Sequence, residues 1–322
     1  MRALVTGATG FVGSHLIEIL QNTSVEITVL ARSPGKAAAL ARRGLKVVSG
    51  DLHDRAGLER AACEQDLVYH VAGVVAARNE AEFLRCNREG TANLVAAAER
   101  QGRPRFILVS SLAAAGPASP GRPLTGSEPP RPVTAYGRSK LAAEEVARSS
   151  SLPWTIVRPP IVYGPRDREV LKIFRLARWG VAPVFGEGNQ ELSAVHAVDL
   201  AAALKAVAEA SSTIGRTYYA CHPQVFTSAE LGRAVASAMG RSVLSLKVPR
   251  PLGRVLLAFT ETSARITRQA TILTTDKANE FFQPAWTGDP SPLTRDTGWR
   301  AQYDLSSGLA HTYQWYRQAG WL

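Results

Sequence analysis

The feature that most constrains the fold is the regular alternation of apolar runs and helical patterns in the first half of the chain. Six apolar runs of strand length are separated by segments with helical spacing: ALVTG, EITVLAR, LKVVSGD, LVYHVAG, RFILVSS and WTIVRPP. Near-continuous apolar strands joined by helices are typical of a parallel sheet that is covered on both faces. The sequence therefore predicts an α/β fold with a doubly wound parallel sheet.

The second half of the chain is less regular. A strand-helix pattern, SAVHAVDLAAALKAVAEA, is followed by a proline-rich stretch after Tyr219. We expect residues 1–164 to form the sheet domain, with residues 191–218 rejoining it. Residues 165–190 and 219–322 are expected to form a smaller, irregular C-terminal lobe over the carboxyl ends of the strands, where open α/β sheets bind ligands.

Three glycines, Gly7, Gly10 and Gly13, follow the first apolar run at an even spacing of three residues. In a strand-turn-helix unit, the first allows a tight turn, the second lets the backbone approach a pyrophosphate, and the third lets helix and strand pack closely. The helix N-terminus then offers unpaired amides to the phosphates. A glycine triplet alone is a weak signal, but its position after the first strand of a parallel sheet predicts a dinucleotide-binding turn of Rossmann type.

The end of the second strand indicates which dinucleotide this turn would bind. An NAD site usually places a carboxylate there, whereas the sequence has Arg32 and no carboxylate in VLARSPGK. An arginine can hold the 2′-phosphate of NADP in a fork of hydrogen bonds. We therefore expect a preference for NADP(H), with NAD(H) left open, because a surface arginine at a strand end is the alternative interpretation.

Tyr136 and Lys140 are four residues apart on a predicted helix, so they share one face. A nearby ammonium favours the phenolate and is expected to lower the tyrosine pKa. A hydroxyl from a separate strand, such as Ser110 or Ser111, could then hold a carbonyl oxygen for proton transfer. By itself, such a Tyr-x-x-x-Lys pair is common on protein surfaces.

These motifs occur together with others in the expected order: TGATGFVG, GDL, VYHVAG, NREGTANL, VSSLAAAG, YGRSK, RPPIVYGP, VHAVDLA and the C-terminal TGWRAQYDLSSGLAHTYQWYRQAGWL. The chain resembles the extended short-chain dehydrogenase/reductase family, which includes the NAD-dependent epimerases and dehydratases. The resemblance covers nearly the whole length. In pattern, the chain is most similar to the dihydroflavonol reductase-like and 3β-hydroxysteroid dehydrogenase-like branches.

The resemblance implies a role for each matching residue. Tyr136 would be the catalytic acid/base, Lys140 would bind the nicotinamide ribose, Ser111 would orient the substrate oxygen, and Asn87 would support the proton path. It also implies a homodimer built on the helices that carry Tyr136 and Asn87. The full set expected to contact the dinucleotide is Gly7, Thr9, Gly10, Phe11, Val12, Gly13, Arg32, Asp51, Leu52, Ala72, Tyr136, Lys140, Pro159 and Ile161.

Two departures from the pattern of sugar-nucleotide epimerases bear on the substrate. Ile161 stands where those enzymes typically carry an asparagine, and Leu192 stands where they typically carry an arginine. An apolar site would leave the polar groups of a sugar nucleotide unpaired at a cost in binding. Leu112 follows Ser111, where a dehydratase would want a carboxylate. We assign Ser111, Tyr163 and Leu192 to the substrate pocket, although Tyr163 could equally pack in the interior.

The favoured interpretation is therefore an NADP(H)-dependent oxidoreductase that reduces a ketone or aldehyde of a relatively apolar small molecule, or oxidises the alcohol. A sugar-nucleotide epimerase or dehydratase with unconventional anchors is one alternative. A non-catalytic dinucleotide-binding module is another, but such relatives usually lack the tyrosine or the lysine.

Composition and residue spacing argue against a membrane-spanning, secreted or metal-binding protein. No apolar run approaches the ~20 residues needed to span a bilayer, and no signal peptide is expected because Arg2 leads straight into a strand. The three cysteines are far apart and, with six histidines, match no metal or disulfide spacing. We expect no metal and a cytoplasmic protein with reduced thiols.

The net charge of +11 comes from scattered basic residues without a dense basic block, so nucleic-acid binding is not expected. One basic segment, VPRPLGRVLLAFTETSARITRQ, mixes an apolar face with Arg254, Arg265 and Arg268. The sequence favours an ordinary helix whose apolar face is directed at the core. Weak contact with a membrane surface, or a cover over a lipophilic pocket, is the alternative.

Overall fold

The computed structural model describes residues 1–267, 270–272 and 274–322, and the side chains of residues 264–266 are not described. Its strands are β1 Arg2–Thr6, β2 Glu26–Ala31, β3 Lys46–Ser49, β4 Leu67–His70, β5 Arg105–Val109, β6 Trp154–Arg158, β7 Ile161–Tyr163, β8 Val181–Phe185, β9 Glu191–Leu192, β10 Ala194–His196, β11 Arg216–Tyr219, β12 Phe226–Thr227, β13 Leu244–Val248 and β14 Ala285–Trp286.

The α-helices are α1 Phe11–Gln21, α2 Pro34–Arg42, α3 Arg55–Ala62, α4 Glu80–Phe83, α5 Gly90–Arg100, α6 Leu112–Ala115, α7 Ala135–Ser149, α8 Glu169–Ala177, α9 Ala197–Glu209, α10 Ser228–Ala238, α11 Arg250–Ile266, α12 Ala278–Phe281, α13 Ser291–Thr297 and α14 Leu305–Gln318. A π-helical turn, Leu84–Glu89, joins α4 to α5, and a short 3₁₀ turn, Ser211–Thr213, follows α9. Within the described ranges, no helix combines the length and the apolar composition that a membrane crossing requires.

Seven strands form one parallel sheet in the order β11-β6-β5-β4-β1-β2-β3. Every residue of β4 is buried, as are four of the five residues of β1 and β5, because helices cover both faces of the sheet. Leu16 of α1 and Leu204 of α9 belong to the hydrophobic core on one face. Leu58 of α3, Leu94 of α5 and Ala147 of α7 belong to the core on the other. The doubly wound α/β prediction is confirmed.

The C-terminal lobe is assembled from very short elements. Its strands form a three-stranded sheet, β12-β9-β14, and two parallel pairs, β7 with β10 and β8 with β13. A second core holds this lobe together and includes Phe174, Trp286 and Tyr316. The chain returns from the lobe to the large sheet through β11, although Glu191–Leu192 pairs within the lobe. The domain limits at residues 164, 191 and 218 stay a prediction.

One buried ion pair fastens α7 to the large sheet. The Arg158 guanidinium on β6 donates from Nε and Nη2 to the two carboxylate oxygens of Glu144 on α7, at 2.8 and 2.7 Å. The Ser110 hydroxyl, just after β5, donates to the same carboxylate at 2.5 Å. Arg158 also donates from Nη1 to the Tyr219 hydroxyl at 3.1 Å. Since both charged side chains are buried, α7 has one fixed position on the sheet.

Replacing Arg158 with methionine should strongly destabilise the protein. The substitution leaves the buried Glu144 carboxylate with the partly buried Arg148 in place of two guanidinium partners, which costs up to about 3–5 kcal/mol in the free energy of unfolding. Lys172→Met is the matched control, because Lys172 pairs with Glu169 on the exposed surface of α8 and should cost less than about 1 kcal/mol. Urea unfolding of both variants measures the difference, and equal losses would show that the buried pair does not fix α7.

Candidate active site

The glycine turn between β1 and α1 leaves no room for a side chain at Gly7 or Gly13. Gly7 has φ +74°, and a Cβ placed there would lie 2.6 Å from the backbone nitrogen of Ala72. A Cβ on Gly13 would lie 2.2 Å from the Gly7 carbonyl oxygen, because α1 packs directly against the turn. The Gly10 amide donates to that same oxygen at 2.9 Å. The three glycines therefore serve the turn and the close packing that their spacing predicts.

The first turn of α1 presents its backbone amides at the carboxyl ends of the strands. Gly10 precedes the helix and, among the described residues, no side chain caps it. Thr9 and Gly10 are exposed, and Phe11 and Val12 are half-buried. Unpaired amides at a helix N-terminus carry partial positive charge, so this turn can bind the phosphates of a dinucleotide.

Arg32 lies at the same edge of the sheet as the glycine turn. β1 and β2 are parallel with Thr6 opposite Leu30, so the residues that follow both strands emerge side by side. β2 ends at Ala31, and the Arg32 side chain is exposed. An exposed guanidinium beside a dinucleotide turn is able to contact a 2′-phosphate.

Three further residues predicted to contact the dinucleotide follow neighbouring strands at this edge. The Asp51 carboxylate after β3 accepts the backbone amides of His53 at 2.8 Å and Asp54 at 3.1 Å, both through Oδ1. These two hydrogen bonds stabilise the turn in which Asp51 lies. Leu52, next to it, and Ala72, after β4, are both half-buried.

Ser111 and Tyr136 meet across two elements. Ser111 follows β5 and caps α6, accepting the Ala113 amide at 3.2 Å. Tyr136 is the second residue of α7, which Thr134 caps, and the Ser111 side chain acts to lower the pKa of its hydroxyl. The Tyr136 ring packs near Phe83, with 5.9 Å between ring centroids. Of the two adjacent serines, Ser110 donates to Glu144 and Ser111 influences the tyrosine. The role of Ser111 in orienting a substrate oxygen stays a prediction.

Lys140 lies one turn after Tyr136 and is buried. Its Nζ donates to the Val109 carbonyl oxygen at 2.7 Å, at the end of β5. Burial lowers the pKa of Lys140 to about 8, against the opposing effect of the Glu144 carboxylate. A Cβ on Gly73 would lie 3.6 Å from Nζ, so the loop after β4 also borders the ammonium.

The pKa of Tyr136 differs in direction from the expectation. Burial raises it to about 12, the hydrogen bond with Ser111 opposes the change, and the charge of Glu280 adds to it. The expectation that Lys140 would lower this pKa is therefore wrong for the structure described here. Loss of water around the hydroxyl outweighs the other influences, and the Lys140 ammonium is engaged by the Val109 carbonyl.

Asn87 supports this arrangement from the π-helical turn Leu84–Glu89. Its buried side-chain amide accepts the Val74 amide at 2.9 Å and donates to the Val74 carbonyl at 3.1 Å. It also donates to the Ser139 hydroxyl at 2.9 Å, and Ser139 donates to the Tyr136 carbonyl at 2.8 Å. Asn87 is thus linked through Ser139 to the backbone of Tyr136, rather than to its hydroxyl.

Pro159 and Ile161 lie where β6 ends and β7 begins. The Pro159 carbonyl accepts the Leu112 amide at 2.9 Å, which fixes this segment beside Ser111. Ile161 is half-buried and pairs with Ala194. The structure therefore brings both residues to the same strand ends as the Ser111-Tyr136 pair.

Tyr163 and Leu192 occupy packed interior positions rather than an open pocket wall. The Tyr163 hydroxyl donates to the Asp304 carbonyl at 3.0 Å, and its ring lies against Gly308. Leu192 pairs with Trp286 in the small sheet, and both Tyr163 and Leu192 belong to the core of the C-terminal lobe. For Tyr163 this is the packing alternative that the sequence left open. Neither residue makes a contact that supports its assignment to the substrate pocket.

The sequence analysis missed Glu280 on α12. Its Oε1 pairs with Lys277, while its Oε2 is buried and accepts no hydrogen bond from any residue in the described ranges. Just before α12, Asp276 accepts the backbone amide of Ala135 at 2.7 Å, which places this segment at the N-terminus of α7. The sequence gives little indication that Glu280 lies near Tyr136, because the tertiary packing of the lobe brings the two residues together.

Dinucleotide binding should depend on the space around the glycine turn. Gly13→Ala should abolish NADPH binding, measured by cofactor fluorescence, because its Cβ would collide with the Gly7 carbonyl. Gly35→Ala is the control, since a Cβ there meets no atom within 4 Å.

Thr9→Glu gives a second test at an exposed position, because a carboxylate beside the α1 N-terminus should repel phosphates. Unchanged binding in a folded Thr9→Glu variant would contradict this site.

Glu280→Gln should lower the pKa of Tyr136, because the substitution removes the negative charge that disfavours the phenolate. Phenolate absorbance, taken as the difference between each protein and its Tyr136→Phe counterpart, measures this pKa. Glu187→Gln, at an exposed carboxylate paired with Lys247, is the matched control and should leave the pKa unchanged. A Tyr136 pKa that rises or stays constant in Glu280→Gln would contradict the placement of Glu280.

Comparison with known proteins agrees with this geometry. The family model for the NAD dependent epimerase/dehydratase family matches residues 3–221. The chain is 33% identical over 320 residues to a ceramide reductase from Caulobacter vibrioides, covering 99% of this chain and 95% of that protein. It is 27% identical over 330 residues to a UDP-glucose 4-epimerase from Vibrio cholerae, covering 98% and 95% of the two chains.

Among solved structures, a UDP-glucose 4-epimerase from Thermus thermophilus in complex with NAD superposes with a TM-score of 0.79. The identity is 24%, and the match covers 99% of this chain and 100% of the epimerase, so it shows a shared fold. Together with the extent of the family match, these similarities identify the chain: it belongs to the NAD-dependent epimerase/dehydratase family, within the extended short-chain dehydrogenases/reductases.

Proposed function

We propose that this oxidoreductase uses NADP(H) to interconvert a ketone or aldehyde and the corresponding alcohol in a relatively apolar small molecule. The observation that carries the proposal is the hydroxyl pair of Ser111 and Tyr136, with the buried Lys140 one helical turn beyond it. Two hydroxyls from separate elements can converge on one carbonyl oxygen, which is the geometry that proton transfer to that oxygen requires.

Tyr136 acts as the proton donor in the direction of reduction. A pKa of about 12 keeps its phenol neutral at neutral pH, so the hydroxyl can give its proton to the carbonyl oxygen as the C–H bond forms. Bound NADPH would supply the hydride. Lys140, whose pKa is about 8, is mostly charged at neutral pH and would bind the nicotinamide ribose, as the family resemblance implies. The Ser111 hydroxyl orients the substrate oxygen.

The preference for NADP(H) rests on Arg32. It is exposed at the carboxyl end of β2, beside the glycine turn, and no carboxylate in VLARSPGK would repel a 2′-phosphate. NAD(H) is the alternative cofactor, since the Thermus epimerase of the same fold is described in complex with NAD.

The proposed substrate is apolar and lipid-like. Ile161 stands where related epimerases carry a polar anchor, and the relative that is 33% identical over nearly the whole chain is named a ceramide reductase. We also propose a cytoplasmic location and a homodimer built on α5 and α7. The proposal includes no nucleic-acid partner.

A sugar-nucleotide epimerase is the second candidate, favoured by the Vibrio relative that aligns with almost the whole chain. The apolar side chain of Ile161 counts against it, because a sugar nucleotide would lose polar contacts there. A non-catalytic dinucleotide-binding module is the third candidate, and the retained Tyr136-Lys140 pair counts against that role.

The cofactor preference is tested by titrating the protein with NADPH and NADH. We expect NADPH to bind at least about tenfold more tightly, equivalent to about 1.4 kcal/mol, and Arg32→Ala to abolish the difference. Arg42→Ala, at an exposed arginine of α2, is the matched control and should retain the preference. Equal affinities in the wild-type protein, or co-purified NAD, would contradict the role of Arg32.

Turnover is tested with NADPH and a panel of long-chain ketones and aldehydes that includes a keto analogue of ceramide. Tyr136→Phe keeps the ring near Phe83 and should lower the rate about a hundred- to ten-thousandfold, the usual contribution of a general acid. NADPH binding should remain. Binding without turnover of any carbonyl by the wild-type protein would favour the non-catalytic module, and conversion of UDP-glucose without net NADPH oxidation would favour the epimerase.

A further inference from the structure

Helix α11 turns a stripe of large apolar side chains toward solvent. Leu252, Val255, Leu256 and Phe259 are spaced three and four residues apart and therefore share one helix face. Phe259 is 75% exposed and Val255 is 65% exposed. The helix of a globular protein ordinarily buries such a stripe. The expectation of a core-directed face is thus wrong for these four residues.

The stripe is held outward because a different face of α11 is anchored. Gly253 and Leu257 are the buried positions in the first half of the helix. A Cβ on Gly253 would lie 2.8 Å from the ring of Phe282 and 3.3 Å from that of Phe185, so the helix backbone lies directly against these rings. Docking on this face leaves the apolar stripe free.

Two exposed leucines also lie on the strand that precedes α11. Leu244 and Leu246 alternate on β13, which runs directly into α11, and Leu244 is 67% exposed. Exposed apolar patches of this extent on a soluble domain mark a surface that another body covers.

Basic side chains accompany the patch. Lys247, Arg250 and Arg254 are exposed in the same segment, and the whole chain carries a net charge of +11. Lys247 pairs with Glu187, and the Arg250 guanidinium lies 5.9 Å from the Phe282 ring centroid. Arg268 and the side chain of Arg265, which the sequence analysis also named, lie outside the described residues.

The combination of exposed apolar and basic side chains favours a lipid surface over a second copy of the chain as the binding partner. In a two-fold dimer the same patch meets itself, so the basic residues of both copies would face one another. An amphipathic helix with basic flanks instead lies in the interface of an anionic bilayer, where apolar side chains enter the acyl region and cations meet the headgroups.

We propose that α11 and the exposed face of β13 form a docking surface for the anionic face of a lipid bilayer. This inference goes beyond the proposed function and does not depend on it, because docking requires no turnover.

The docking surface also lies close to the candidate active site. The Thr275 backbone amide and hydroxyl donate to Glu261 of α11 at 2.8 and 2.6 Å. The next residue, Asp276, accepts the amide of Ala135, which directly precedes Tyr136. A bilayer held by α11 would therefore adjoin the segment that borders Tyr136, a position suited to an apolar substrate.

The test is flotation of the full-length protein with vesicles of phosphatidylcholine alone and of an equimolar mixture of phosphatidylcholine and phosphatidylglycerol. We expect binding to the anionic vesicles that weakens as salt rises. Phe259→Asp should lower the partition coefficient about tenfold or more, since it removes a large side chain from the acyl region and adds a negative charge.

Ile214→Asp is the matched control, because Ile214 is 44% exposed outside the patch and should partition as the wild-type protein does. Thermal unfolding and NADPH binding of Phe259→Asp should be unchanged. A lower partition coefficient of this variant then reports on the docking surface and not on misfolding. The proposal is overturned if the wild-type protein does not bind anionic vesicles, or if Phe259→Asp binds them equally. It is also overturned if sedimentation shows a dimer that Phe259→Asp dissociates, since a second copy would then cover α11.

Discussion

The buried ion pair between Glu144 and Arg158 is the interaction on which the candidate active site depends. Tyr136, Lys140 and Glu144 follow one another at intervals of four residues, so they share one face of α7. Fixing Glu144 to β6 therefore also fixes the other two relative to the sheet. A carboxylate and a guanidinium of this kind tolerate burial only as a pair, which gives α7 little freedom to shift.

The same contact also sets the position of the serine. Ser110 donates to Glu144 at 2.5 Å, and Ser111 follows it at the end of β5 with its side chain toward Tyr136. The hydrogen bond of Ser110 to Glu144 therefore holds the end of β5 against α7, and Ser111 is the next residue of that segment.

The sheet and the shared helix face of Tyr136 and Lys140 could be predicted from sequence because both depend on local patterns. Apolar runs predict buried strands, and the spacing of Tyr136 and Lys140 places them on one helix face. The C-terminal lobe could not be predicted in the same way. Strands as short as Glu191–Leu192 and Ala285–Trp286 are defined by pairing between distant segments, and they carry no periodicity of their own.

The errors have the same physical origin. The pKa of Tyr136 depends on burial and on Glu280 from the distant lobe, neither of which a Tyr-Lys spacing reveals. The outward direction of Phe259 depends on which face of α11 is anchored at Gly253, whereas helical periodicity gives only the existence of an apolar stripe. Local patterns therefore predicted the elements and the residues that share a face, while tertiary packing determined the electrostatics and exposure of those residues.

The central claim is that this site carries out net reduction of a carbonyl compound with Tyr136 as the acid. The most direct measurement follows a deuterium label from C4 of NADPH by mass spectrometry, with the keto analogue of ceramide as substrate. We expect one deuterium on the new carbinol carbon for each NADPH oxidised, and formation of this product about a hundred- to ten-thousandfold more slowly with Tyr136→Phe. Labelled product from Tyr136→Phe at the wild-type rate, or epimerised UDP-glucose with no net NADPH oxidation, would contradict it.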